Sequence, residues 1–177
     1  MKGPTIYLAA FAFLSTFISA AAVPHVASPG EVLAKRGGEV NYLANCIIRN
    51  PAYVTINYHA SYIAWYSNVD NSLSGNDTPE SLSNEYRDWA AGGEYLLWEG
   101  QQQNIYFPDS GVSVQTHIEG DGQSRAFTAW AGWAQRTSDG KTFNCYKDNG
   151  RQLFSINRGH HYGVPNTLTC NGIYWCV

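Results

Sequence analysis

Four histidines lie in the body of the chain: His59, His117, His160 and His161. Two of them, with a carboxylate between, could act as base and acid in cleaving a phosphodiester. Glu94 and Glu99, flanking Trp98, are the best-placed carboxylates. Arg125 or Arg158 could meet charge developing on phosphorus. His59, Glu99, Arg125 and His160 therefore form the candidate catalytic set. The simpler account is that these are exposed strand residues and loop histidines, because a chain with this many acids offers many such quartets. The His160-His161 pair is flanked by Gly159 and Gly163. On a strand the two rings would face opposite ways and could not share a metal. No nucleophile elbow, zinc-protease helix or phosphate-binding loop is present, so no metal and no cofactor is expected.

Aromatic residues suggest a second kind of chemistry, since the chain carries six Trp and twelve Tyr. Most suit sheet faces and a β-rich core. Some could form a platform for a sugar or for bases, and Trp98, Tyr106 and Trp130 are the candidates for a binding face. From Gly37 onward there are eight Lys and Arg against thirteen Asp and Glu, a balance of about −5. That balance opposes non-specific binding to nucleic acid, which rests on phosphate neutralisation.

The N-terminal residues point outward from the cell. A basic start at Lys2, an apolar run and a small-residue end read as a signal peptide over 1–22. Residues 23–36 read as a pro-segment that ends in the dibasic pair Lys35-Arg36. Residues 37–177 then form one secreted domain, of a length that one core can serve. No later run is long and apolar enough to span a membrane. Asn76-Asp77-Thr78 is an N-glycosylation acceptor, weakened by Pro79. An even count of cysteines, Cys46, Cys145, Cys170 and Cys176, implies two disulfides. The expected pairing is Cys46 with Cys145 and Cys170 with Cys176, the latter closing a short terminal loop.

The elements that must carry these residues are mostly strands. Val40 to Ile48 and Tyr53 to Tyr66 are rich in β-branched and aromatic residues, and Val112 to Ile118 alternates cleanly. Glu94 to Glu99, Asn104 to Phe107 and Ala126 to Ala134 also read as extended. Asp148-Asn149-Gly150 predicts a hairpin joining Thr142–Tyr146 to Gln152–Ile156. Leu168 to Cys176 closes the chain. One helix is predicted. Thr78 would cap it, Pro79 would open it, and Leu82, Tyr86 and Trp89 would repeat at helical spacing before Gly92-Gly93. The expected fold is α+β, one helix packed on an antiparallel sheet.

Tyr42-Leu43-Ala44-Asn45-Cys46, Trp98-Glu99-Gly100-Gln101-Gln102 and Phe143 to Arg151 resemble segments of small secreted fungal proteins treated as effectors. The resemblance implies action on a host or competitor through a binding surface, with an unknown host protein or glycan as partner. The layout also resembles the guanine-specific fungal ribonucleases. The order His59, Glu99, Arg125, His160 is similar to their acid–base order, and a hairpin followed by His160 to their C-terminal half. Asp109 stands where that family carries a catalytic His, after Tyr106-Phe107-Pro108. The resemblance thus implies a related fold without the full catalytic set. The function expected is a secreted, non-enzymatic effector-like binding protein; the alternatives are a secreted ribonuclease and a cell-wall glycan binder.

Overall fold

The computed structural model describes residues 38–49, 57–88, 93–161 and 164–177. The expected signal peptide, the expected pro-segment with Lys35-Arg36, and residues 89–92 of the predicted helix lie outside them. Ten strands form one antiparallel sheet: β1 Val40–Arg49, β2 Asn57–Tyr66, β3 Ser81–Leu82, β4 Tyr86–Arg87, β5 Gln102–Phe107, β6 Val112–Ile118, β7 Trp130–Arg136, β8 Thr142–Lys147, β9 Gln152–His161 and β10 Val164–Cys176. Their order is β3-β2-β1-β10-β8-β7-β6-β5, with β4 also on β2 and β9 also on β10. The sheet curls until its ends nearly meet. The link between β3 and β4 bridges the gap: Ser83 N–H donates to Ile63 O of β2 at 3.0 Å, and Asn84 N–H to Tyr106 O of β5 at 2.7 Å. The result is a nearly closed barrel.

The α+β expectation is therefore corrected to all-β. No α-helix occurs among the described residues, and the predicted helix is replaced by two short strands on β2. The physical reason is the free edge of β2, whose backbone groups need partners. Leu82 packs on the core while Tyr86 is exposed, so the fourfold spacing marks two separate strands and not one apolar stripe. Tertiary pairing overrides a good local start signal. Glu80, expected at a helix N-terminus, instead accepts from Ser67 N–H and Oγ and from Asn71 Nδ2.

Two cores result. Leu43, Ile63, Trp98, Phe107, Val114, Ile118, Ala131, Phe143 and Tyr174 come from all sides of the sheet and fill the barrel. Tyr42, Ala44, Ile48, Tyr62, Tyr66, Phe154, Leu168 and Trp175 pack on the outside of β1, β2, β9 and β10. β1 is thus buried on both faces. β10 serves both cores by means of a bulge. Tyr174 pairs with Leu43 and Gly172 with Ala44, so Ile173 is the extra residue. Before it, Leu168 and Cys170 face the outer core; after it, Tyr174 and Cys176 face the barrel.

All four cysteines are paired, but not as expected. Cys46 bonds Cys170 and Cys145 bonds Cys176. Each pair sits directly opposite in register, β1 to β10 and β8 to β10. Cys46 and Cys145 cannot meet because they face different cores. Cys170 and Cys176 fall on one strand, on opposite sides of the bulge. The predicted Asp148–Gly150 hairpin is corrected as well: β8 and β9 do not pair with each other, and each pairs with a different stretch of β10. The long final strand outcompetes the local turn signal.

Candidate functional site

One end of the barrel is open. A cavity of about 250 Å³ lies there, lined by Trp65 and Asn41 from β2 and β1, Ser81 from β3, Phe107, Val112 and Val114 from β5 and β6, and Arg136 from β7. Glu80, Asp109 and Ser110 stand at its rim. The floor is apolar because Phe107 and Val114 project inward from alternating strands. The Pro108–Gly111 turn, closed by Gly111 N–H to Phe107 O at 2.9 Å, holds Asp109 over it.

Glu39 organises this mouth. Its Oε2 accepts from Trp65 Nε1 at 2.8 Å and from Arg136 at 2.7 Å, and its Oε1 pairs with Lys141 at 2.5 Å. Arg136 also makes a two-pronged bond to Asp139, at 3.0 and 2.6 Å. Burial pushes the Glu39 carboxyl upward. The donors Lys141 and Trp65 and the charges of Arg136 and Lys141 outweigh that, leaving it below the usual range. Two polar groups at the cavity are uncommitted. The Ser81 hydroxyl is buried without a hydrogen-bond partner among the described residues. Asp109 is exposed and makes no ion pair or hydrogen bond among them.

The opposite end is closed. Trp98, only 1% exposed, lies inside the barrel and donates from Nε1 to Asn45 Oδ1 at 3.1 Å. Ser61 Oγ donates to the same oxygen and accepts from Leu96 N–H, each at 3.0 Å. Trp98 therefore offers no ring to a surface partner. Glu99 is also buried and accepts a short bond from the Tyr174 hydroxyl. Burial, then the Glu99 acceptor and its charge, push the Tyr174 phenol well above its ordinary value.

Of the proposed acid–base set, His59, Glu99 and Arg125 do not line the cavity described above. His59 is fixed by a 2.6 Å bond from Nδ1 to Gly93 O and by stacking on Tyr95 at 4.3 Å. Arg125 is spent on Asp121, at 3.0 and 2.6 Å, and on Trp130 O at 2.5 Å. His160 belongs to β9, and its side chain is outside the described residues. Tyr106 and Trp130, each 43% exposed, remain on the surface, Tyr106 on β5 and Trp130 at the start of β7. Trp130 begins a cross-strand row with Tyr146 and Trp175. Asn76 lies in an exposed loop, where its N–H bonds Ser74. Among the described residues no group of three His, Cys, Asp or Glu could hold a metal.

The sequence singled out none of the cavity residues as a binding group except through the note on Asp109. Trp65 read only as a strand residue. The signal that could have found it is the spacing of Trp65 and Phe107 near strand ends beside polar turns. No protein-family model, no curated protein and no solved structure matches the chain.

Proposed function

We propose that this chain is a secreted, non-enzymatic binding protein, acting on a host or competitor, which takes a small molecule in the open end of its barrel. The carrying observation is the cavity, which combines an apolar floor with the buried, unpartnered Ser81 hydroxyl. A turn of the Ser81 side chain into the cavity would let a ligand satisfy a group that is otherwise costly to bury. The volume, about 250 Å³, lies just below the usual range for drug-sized ligands and suits a smaller molecule. The two disulfides suit an oxidising compartment outside the cell. Titration calorimetry with a panel of small molecules tests this. Trp65→Ala should abolish the heat of any binder, and Trp130→Ala should leave it. Binding that survives Trp65→Ala would remove the cavity from the account.

A second reading, a glycan-binding face, is favoured by Trp130. Its ring is exposed and has the Arg125 guanidinium 5.5 Å from its centre. Retention on insoluble chitin or glucan that is lost in Trp130→Ala would support it; no retention would exclude it. Ribonuclease activity is not expected, because His59, Glu99 and Arg125 are held in separate structural contacts. Clean cleavage of total RNA that His59→Ala abolishes would overturn that.

A further inference from the structure

We infer that the ligand of the open cavity is a small organic cation, an ammonium group carried on a compact apolar body. The inference rests on the binding reading above and concerns what that same site selects. It follows from the charges around the mouth. Arg136 and Lys141 are the cations there, and both are already matched. The Arg136 guanidinium is shared between Asp139 and Glu39, and Lys141 is on Glu39. Three of the five N–H groups of Arg136 hold carboxylate oxygens, one each from Nε, NH1 and NH2, so its charge is met on two sides by Asp139 and Glu39.

Two carboxylates remain in excess. Asp109 has no partner among the described residues. Glu80 is held by Ser67 and Asn71, which bring no charge. The mouth therefore carries net negative charge above an aromatic floor. Trp65 and Phe107 line the cavity, and an aromatic ring attracts a cation and does little for an anion. The bond from Trp65 Nε1 to Glu39 fixes the indole, so the platform is held in place before a ligand arrives. Turned into the cavity, the buried Ser81 hydroxyl would supply one polar contact, suited to a hydroxyl or carbonyl on the same ligand.

Three probes of one shape separate the possibilities: choline, its neutral carbon isostere 3,3-dimethylbutan-1-ol, and the anion 3,3-dimethylbutanoate. Each is titrated into the purified protein, with indole resonances followed by NMR. The expected order is choline first, the alcohol about tenfold weaker, and the carboxylate weakest. Asp109→Asn should remove most of the gap between choline and the alcohol, while Trp130→Ala leaves it. Equal affinities, or a preference for the carboxylate, overturn the cation inference but leave the cavity as a binding site. Absence of saturable shifts with all three, where another compound binds and Trp65→Ala abolishes that binding, also overturns only the cation inference. Failure of every compound at the Trp65 site overturns both.

Discussion

The two ends of this barrel are built on opposite principles. At the closed end the Trp98 indole is held by neutral groups, Asn45 and Ser61, inside an apolar core. At the open end charged groups meet: Arg136 lines a cavity and is tied to Asp139 and Glu39, and Glu39 to Lys141. Burying a large aromatic side chain contributes roughly 2–3 kcal/mol from area alone. Partly exposed ion pairs contribute little each. The closed end therefore holds the barrel together, and the open end, whose groups carry less of the stability, is free to bind. The difference teaches where to look for function: at the end where polar groups lack partners, not where titratable residues are densest in sequence.

The largest test of this division uses the disulfides. Cys145–Cys176 lies toward the open end, since Cys176 is in register with the cavity residue Asn41. Cys46–Cys170 lies toward the closed end, next to Asn45. They close sequence separations of 31 and 124 residues. In the chain-entropy account their removal costs roughly 4 and roughly 5 kcal/mol. Denaturant unfolding of the two paired Cys→Ala variants should show the Cys46/Cys170 variant to be the less stable. The reverse order would mean that the open end carries more of the fold than described here.

Trp98→Ala should cost about 3–5 kcal/mol, because it empties a site walled on every side. Phe107→Ala should cost less, since its ring already borders open volume that water can enter. Equal losses in thermal melts would erase the distinction between a plugged and an open end.

Opposite signs are expected from two smaller changes. At Gly122 an added methyl would meet Ile118 Cγ2 at 2.7 Å and the Tyr174 hydroxyl at 2.9 Å. Gly122→Ala should therefore destabilise by about 1–3 kcal/mol through overpacking at the closed end. Ser81→Ala removes a buried hydroxyl that has no partner, and should raise stability by about 1 kcal/mol while weakening ligand binding. Loss of stability in Ser81→Ala would show that the hydroxyl is satisfied in solution.

Much of the sheet was legible from alternation. Val112 to Ile118 is a strand over the residues expected, and β1 differs from expectation by one residue. What local signals could not show is competition between strands. The Thr78-Pro79 start is a fair helix signal, yet the free edge of β2 recruits Ser81–Leu82 and Tyr86–Arg87 instead. The Asn149-Gly150 turn signal is sound, but β10 takes the strands on both sides of it. Disulfide pairing was illegible because it depends on the bulge at Ile173, which sets the faces of Cys170 and Cys176. The cavity was hidden for a similar reason: Trp65 and Asp109 are 44 positions apart and meet only when the sheet curls.

Acid provides the finest comparison. Glu39 titrates below its ordinary value of 4.5 despite partial burial, because Lys141, Trp65 and Arg136 favour its charged form. The two-pronged bond to Arg136 and the N–H of Lys141 lower Asp139 to about 2. A carboxyl with a lowered folded value adds stability that is present above its unfolded value and is lost as pH falls through the folded one. The open end should therefore loosen as pH falls below about 4.5 and continue to do so toward about 2. No ionised group takes part in the Trp98–Asn45–Ser61 bonds. Hydrogen exchange of the two indole N–H groups distinguishes the ends: Trp65 should lose protection over this window while Trp98 keeps it. In Glu39→Gln the Trp65 indole should already be less protected at neutral pH, and its response to acid should shrink. Joint loss of protection at Trp65 and Trp98 would show one cooperative unit, and would end the distinction between a binding end and a holding end.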